Sequence, residues 1–419
     1  MSRDVATIAI YPEEGKSHSS AHDLSALAAY TQSLLHALPE EARKQHVVLT
    51  NLKTPSPHVF LDQQIEIHEV WKKGTLTYFF HILRRLRTIS SLRIVHLQHE
   101  FNQFGGTATL PFIPLMLGII RFFMRCKVVV TLHEVFGKDL LDPALAGNYC
   151  LPIPVALARP LFKLYYRILS CVTDEFIVQH PRIEQVLREE MGVKTPSTIL
   201  PIGTETHVVP ADRENAWVKY GIPPGRKLLM FFGTLDWRKG LDVLLDAFEQ
   251  LPSGEYFLLI GGGQPVRIQH RPEYITWHAK LMERVKANPA IRHIGFVPDD
   301  DLPLLFAAAD LVVLPYVVPQ IMSAVINHAA SYERPFIGSD AFNGQVDPVA
   351  LFQATPDDLT RKIQWAFAEG KNRLIAYSLR YKTDHAWERG ARIMLGAYAR
   401  ALGKTDAETD RDDLTALDK

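Results

Sequence analysis

The chain has 419 residues, with 46 Lys+Arg balanced by 46 Asp+Glu and 47% hydrophobic residues. Such a length predicts two domains of about 100–200 residues each, and the composition is that of a globular chain with sizeable cores. Zero net charge gives no electrostatic ground for binding nucleic acid.

Cys126, Cys150 and Cys171 lack metal-ligand spacing and sit in apolar sequence. They are expected to be buried free thiols in a reducing compartment. The N-terminal stretch has no apolar signal-peptide core. The longest apolar run, Leu110 to Ile120, contains Pro111 and Pro114 and is closed by Arg121. It falls short of the roughly 18 residues needed to span a membrane. The expectation is a cytoplasmic protein, with peripheral contact at the inner face of a membrane as an option.

Val5 to Tyr11 reads as a first strand. Leu24 to Leu38 reads as a helix with Leu27, Tyr30, Leu34 and Leu38 along one side. His46 to Asn51 and Gln64 to Val70 read as strands. Leu76 to Leu92 reads as a helix that joins Tyr78, Phe79 and Phe80 to Arg84, Arg85 and Arg87, with Lys72 and Lys73 upstream and Arg93 after it. A basic aromatic helix of this kind either rests on an anionic membrane or has one buried and one solvated face.

Arg93 to Gln98 and Lys127 to Leu132 read as strands that end in His99-Glu100 and His133-Glu134. Parallel strands deliver side chains to ligands at their C-terminal ends. Each histidine there can bond a sugar hydroxyl or a phosphate, or can be a satisfied structural group. Pro160 to Leu169, Glu175 to Val178, Arg182 to Met191 and Ser197 to Leu200 read as helix, strand, helix and strand. Residues 206–226 read as a linker.

Leu228 to Phe232 is a short apolar run ended by Gly233, hence a buried strand. Leu241, Leu244, Leu245 and Phe248 then fall at helical spacing. Between them stand Arg238 and Lys239. A helix start has unpaired N–H groups and a positive dipole end, and two cations add to it. The turn suits a phosphate; the alternative is an ordinary loop with solvated charges. Further strands are expected at Glu255 to Ile260, running into Gly261-Gly262-Gly263, and at Ile291 to Val297, Asp310 to Pro315 and Pro335 to Asp340. Helices are expected at Leu302 to Ala309 and Ser323 to Ser331. Thr355 and Pro356 fit the N-cap and first position of a later helix. His385 to Leu402 reads as a final helix, and Lys404 to Lys419 as a polar, disordered tail.

Five stretches, in this order, resemble the nucleotide-binding half of the glycosyltransferase family 4 type of GT-B enzymes. They are Gly233-Thr-Leu-Asp-Trp-Arg-Lys-Gly240, Ile260-Gly-Gly-Gly263, Gly295-Phe-Val-Pro298, Ala308-Ala-Asp-Leu-Val-Val-Leu-Pro-Tyr316 and Arg334-Pro-Phe-Ile-Gly-Ser-Asp340. Each is weak alone, and together they cover more than a hundred residues. The resemblance implies an α/β protein of two doubly wound Rossmann-like domains facing a central cleft. It implies an acceptor-side domain over residues 1–205, a linker over 206–226 and a nucleotide-sugar domain over 227–384. A helix over 385–403 would cross back to the first domain, followed by a tail over 404–419.

By the same resemblance the activity would be retaining transfer of a sugar from a nucleotide-diphosphate sugar to a hydroxyl of a polysaccharide, a glycolipid or a small aglycone. No cofactor and no essential metal would be needed. Lys239 would hold the diphosphate with Arg238, beside Gly233, Thr234, Gly261 and Gly263. His99 and Gln320 would position the sugar, and His328 would touch the ribose. Ser323 would cap the next helix, in the turn Met322-Ser323-Ala324. Ser25, Ala26, Glu100 and His133 would lie on the acceptor side. Several positions depart from the family pattern. Gln320 and His328 stand where the family has two glutamates. Thr234 replaces an arginine, Ala324 a glycine, and Ser25-Ala26 a glycine pair. These departures keep a second reading open, a degenerate protein that binds a nucleotide sugar or a partner without turnover.

Overall fold

The computed structural model describes residues 3–15, 26–53, 56–138, 154–208, 211–266, 268–319 and 323–404. The chain divides into two compact units, one of Met1–Gly203 with Trp387–Lys419, the other of Thr204–Ala386.

In the first unit, β1 (Val5–Ile8), β2 (His46–Asn51), β3 (Val59–Asp62), β4 (Ile65–Trp71), β5 (Ile94–His99), β6 (Lys127–Leu132), β7 (Glu175–Val178) and β8 (Ser197–Ile199) form one sheet. Its order is β3-β4-β2-β1-β5-β6-β7-β8. All neighbours pair in parallel except the hairpin β3–β4. β3 was not expected: its burial alternates and Leu61 points to solvent, so its apolar signal is that of an edge strand.

Right-handed crossovers fix which face each helix covers. The step from β1 back to β2 puts Ala26–His36 on one face. The steps β4 to β5 to β6 to β7 run the other way and put Tyr78–Leu86, Phe112–Gly118 and Val155–Cys171 on the opposite face. Ring contacts agree: Phe79 stacks on Phe112 at 5.6 Å, and Phe162 meets Phe101 edge-on at 5.2 Å. The helix Trp387–Ala401 packs on the first face, where Trp387 meets Tyr30 at 5.4 Å and Met394 and Tyr398 join the core.

In the expected basic helix, Tyr78, Phe79, Ile82, Leu83 and Leu86 are buried, leaving Phe80 as its exposed aromatic. Leu110 to Ile120, left unassigned above, contributes the helix Phe112–Gly118 and the π-turn Ile119–Phe123. Cys126 is buried as a free thiol, whereas Cys171 is exposed; it is the last residue of a helix whose outer side faces solvent. Cys150 lies outside the described residues. No helix among the described residues is long and apolar enough to cross a membrane.

The second unit has six parallel strands: β9 (Lys227–Phe232), β10 (Tyr256–Gly261), β11 (Ile291–His293), β12 (Leu311–Leu314), β13 (Phe336–Ser339) and β14 (Leu351–Phe352). They are ordered β11-β10-β9-β12-β13-β14. The chain steps outward from β9 to β11 and then returns to lay β12 on the other side of β9. The loops after β9 and β12 therefore diverge, and such a switch point is where a doubly wound sheet offers a crevice. Residues 206–226, expected as a linker, contain the helix Arg213–Tyr220. Asp212 caps it and Gly221 closes it in the left-handed conformation. Its Trp217 donates to the Ala308 carbonyl, 3.1 Å away, within the same unit. Thr355 caps the helix Pro356–Phe367 through the Asp358 N–H, as its sequence suggested.

Candidate functional site

The loop after β9 is built backbone against backbone. The Gly233 N–H donates to Gly261 O at 2.9 Å, Leu235 N–H to Gly263 O at 2.9 Å, and Gly262 N–H to Gly295 O at 2.7 Å. His293 Nε2 holds the Gly262 carbonyl from the other side at 2.8 Å. Gly262 has φ +144°, and a Cβ there would overlap the Gly233 carbonyl oxygen. Neither backbone can yield without breaking the bonds just named. Gly262→Ala is therefore expected to destabilise this unit by about 3 kcal/mol, read as a lower urea midpoint; a midpoint unchanged from the parent would refute this packing.

Gly233 has φ +122°, and an ideal Cβ on it would stand 2.5 Å from Lys239 Nζ. The ammonium of Lys239 thus lies over the bare α-carbon of Gly233, at the end of β9. It also lies 5.6 Å from the centre of the Tyr316 ring, just past the end of β12. Tyr316 Oη is 3.4 Å from Ser323 Oγ, and Ser323 precedes the helix Ala324–Ser331. Lys239 and this helix start are therefore gathered on one tyrosine at the switch point. Among the described residues Lys239 has no carboxylate within ion-pair distance. The arrangement suits an anion, since a cation and the start of a helix come together there.

Ser323 has the backbone of an N-cap, but its side chain makes no cap bond. The hydroxyl is turned towards Tyr316 instead, which corrects the expectation of a side-chain cap. Ala324 begins the helix and is exposed, and Thr234 is exposed in the loop. Arg238 is engaged elsewhere. Its Nε and Nη2 reach Asp236 Oδ2 at 3.1 and 2.5 Å, and its own N–H is capped by Asp236 Oδ1 at 2.9 Å. Burial works to raise the Asp236 carboxyl, but the bonds and charge of Arg238 outweigh it and hold it below the usual range. The pair locks the short turn Trp237–Lys239 and aims Lys239. The spacing Asp-x-Arg was the available sequence signal for this; Tyr316 carried none that separates it from a core aromatic.

His328 sits in the helix Ala324–Ser331, edge-on to Phe232 at 6.3 Å and tilted on Phe306 at 5.9 Å. It thus flanks the residue before Gly233. Gly261 is buried at the end of β10, and a Cβ on Gly263 would stand in ordinary contact with Phe296, 3.8 Å away. Gln320 and Met322 lie outside the described residues.

On the first unit, the ends of β5, β6 and β7 hold a buried polar cluster. His133 Nε2 donates to Gln98 Oε1 at 2.7 Å, and Nδ1 accepts from Gln179 Nε2 at 2.5 Å. The ring is therefore a neutral tautomer clamped on both nitrogens, with Tyr30 edge-on at 4.8 Å. His99, expected to face the sugar, is fully buried, with Nε2 on Tyr165 Oη at 2.6 Å. Its Nδ1 has no partner outside its own residue. Burial pushes His99 down to about 4 and His133 to about 3, the latter with a smaller push from His99. Beneath them His96 bonds Tyr398 Oη at 2.7 Å and Thr131 Oγ1 at 2.8 Å. Glu100 is half-buried in the loop after β5. Ala26 opens the helix Ala26–His36, and Ser25 lies outside the described residues. Sequence reasoning missed His96, Gln98 and Gln179, and no local pattern could have paired His96 with a tyrosine 302 residues away.

Residues 226–369 match the family model described as Glycosyl transferases group 1. The D-inositol 3-phosphate glycosyltransferase of Mycobacterium bovis is 25% identical over 228 residues, 50% of this chain and 46% of that protein. The chain spans less than half the length of the curated relatives it matches first, 22% and 46%. Among solved structures, the sucrose-phosphate synthase of Thermosynechococcus elongatus superposes with a TM-score of 0.69 at 16% identity, over 96% of this chain and 99% of the other. Anabaena HepE, solved with UDP and glucose, gives 0.64 at 14% identity, over 95% and 100%. The second unit thus carries the match to the group 1 glycosyltransferases, and the chain has the two-domain α/β fold of the GT-B type.

Proposed function

We propose that the protein is a retaining glycosyltransferase that moves a sugar from a nucleotide-diphosphate sugar to a hydroxyl of a carbohydrate or lipid-linked acceptor. One observation carries this reading: Lys239 and the start of the helix Ala324–Ser331 meet on Tyr316 at the switch point of the second sheet. In glycosyl transfer the bond from the anomeric carbon to the diphosphate breaks, and negative charge grows on the leaving oxygens. An ammonium and fixed N–H groups stabilise that charge more in the transition state than in the bound donor. The leaving phosphate can itself take the acceptor's proton, so no separate base is required. Gln320 would hold a sugar hydroxyl and His328 a ribose hydroxyl, each as a neutral hydrogen-bonding group. The family-model match over residues 226–369 and the UDP complex of HepE support a nucleotide-sugar donor.

A second reading is binding without turnover. The engagement of Arg238 with Asp236 favours it, because Arg238 cannot then make up for the arginine absent at Thr234. Calorimetric titration with UDP, GDP, ADP, dTDP and CDP, each with and without Mg²⁺, separates the two. Binding of one nucleotide irrespective of Mg²⁺, with release of that nucleotide from its sugar conjugate in the presence of acceptor, is the expected result. Binding with no release under any acceptor would leave the second reading. Gln320→Glu with His328→Glu would then be the variant to restore turnover.

A further inference from the structure

The first unit carries an apolar surface that its fold does not use. The helix Val155–Cys171 exposes Leu157, Leu161, Leu164 and Ile168. Their spacing of four, three and four residues puts them on one stripe. The neighbouring segment 112–123 exposes Leu115, Phe122 and Phe123, the last two at 62% and 81%. Topology places both helices on the same face of the sheet, beside Tyr78–Leu86 with its exposed Phe80. Contiguous exposed apolar side chains of this size mark an interaction surface.

Charge identifies what covers it. Residues 110–130 and 154–173 contain no Asp or Glu, yet they hold Arg121, Arg125, Lys127, Arg159, Lys163 and Arg167. Arg121 and Lys127 share Asp174 at 3.1 and 3.4 Å. Arg125 and Lys163 are exposed. A protein partner's apolar patch would not require this one-sided charge, whereas an anionic bilayer does: leucines and phenylalanines enter the acyl boundary while flanking cations meet the headgroups.

We propose that this helical face docks on an anionic lipid surface, with Phe122, Phe123 and the leucine stripe of Val155–Cys171 inserted. The basic helix singled out from sequence would then flank the contact, since its own aromatic side is mostly buried. This inference does not depend on turnover, so it can fail while the proposed transferase reading stands, and the reverse.

The test is co-sedimentation of the full chain with vesicles of phosphatidylcholine alone or with about 30 mol% phosphatidylglycerol. Binding is expected to the anionic vesicles and to be at least about tenfold weaker on the neutral ones. Phe122→Ser with Phe123→Ser, and separately Leu161→Gln with Leu164→Gln, should each weaken it about tenfold or more. Arg125→Glu with Lys163→Glu changes only exposed charges, so it keeps the test decisive if an apolar variant misfolds; it too should lose anionic binding. Absence of sedimentation of the parent chain, or equal binding by the charge-reversed variant, overturns the proposal. So does a self-association that the serine variants abolish while vesicles bind nothing, which would give the surface to a second copy of the chain.

Discussion

Lys239→Ala is expected to weaken binding of the preferred nucleotide diphosphate about a hundredfold while leaving the fold intact. The magnitude follows from one charge-assisted hydrogen bond to phosphate, about 1.5–3 kcal/mol. The fold is expected to be unaffected because Lys239, among the described residues, pairs with no carboxylate that its loss would strand. Arg238→Ala should behave in the opposite way. Asp236 is only 3% exposed and is held by Arg238. Removing Arg238 leaves a buried carboxylate without its partner, at a cost of about 3 kcal/mol in stability, with a smaller change in nucleotide affinity. Calorimetric titration and urea unfolding of both variants check the pair. Unchanged affinity in Lys239→Ala would remove the phosphate site from the switch point. A stable Arg238→Ala that loses nucleotide would move the phosphate contact to Arg238.

The first unit is expected to lose stability in mild acid and the second to lose little. Burial lowers His46, His96, His99 and His133, to about 4, 3, 4 and 3. For His96, the nearby His46 and His133 add to the effect of burial. All four belong to the first unit. In the unfolded chain each titrates near about 6.5. Below that pH the unfolded chain takes up protons that the folded one refuses. The stability conferred by neutral burial is therefore present above pH 6.5 and is lost as the pH falls towards 4. At about pH 5.5 each histidine costs about 1.4 kcal/mol relative to pH 7.5, so the four together cost about 5 kcal/mol. That is a large share of an ordinary domain's stability. In the second unit, by contrast, His278 is lowered by burial but is only half-buried. Hydrogen exchange followed by mass spectrometry at about pH 7.5 and pH 5.5, corrected for the intrinsic rates, should show protection lost in β5, β6 and β7 and kept in β9, β10 and β12. Equal protection of both units at the lower pH would mean that these histidines are not buried in the neutral form.

The strands were legible because parallel strands covered on both faces read as continuous apolar runs. β2, β6 and β7 have the boundaries that their runs suggest. The edge strand β3 was not legible, since alternating burial in four residues gives too little signal. The segment 112–123 was passed over because two prolines argue locally against a helix, yet Pro111 precedes it and Pro114 lies within its first turn, where no N–H bond is lost. In the candidate site, Gly233 and Lys239 were legible from the pattern of glycines and cations after a strand. Their close approach was not, nor was the diversion of Arg238 to Asp236. Both depend on χ angles that a sequence does not encode locally.

The sequence by itself determined the alternation of strands and helices, the glycines that let two loops pass at β10 and β9, and the presence of a cation before the helix Leu241–Glu249. These follow from local chemistry: apolar period, the absence of a Cβ, and formal charge. Only the tertiary structure decided which of the two cations is held by Asp236, that His99 is walled in by Tyr165, and that His96 answers to Tyr398 from the far end of the chain. Each of these is set by which side chains the sheet order brings within about 3 Å, a contact that hydrogen bonding and burial reward only after the chain has closed.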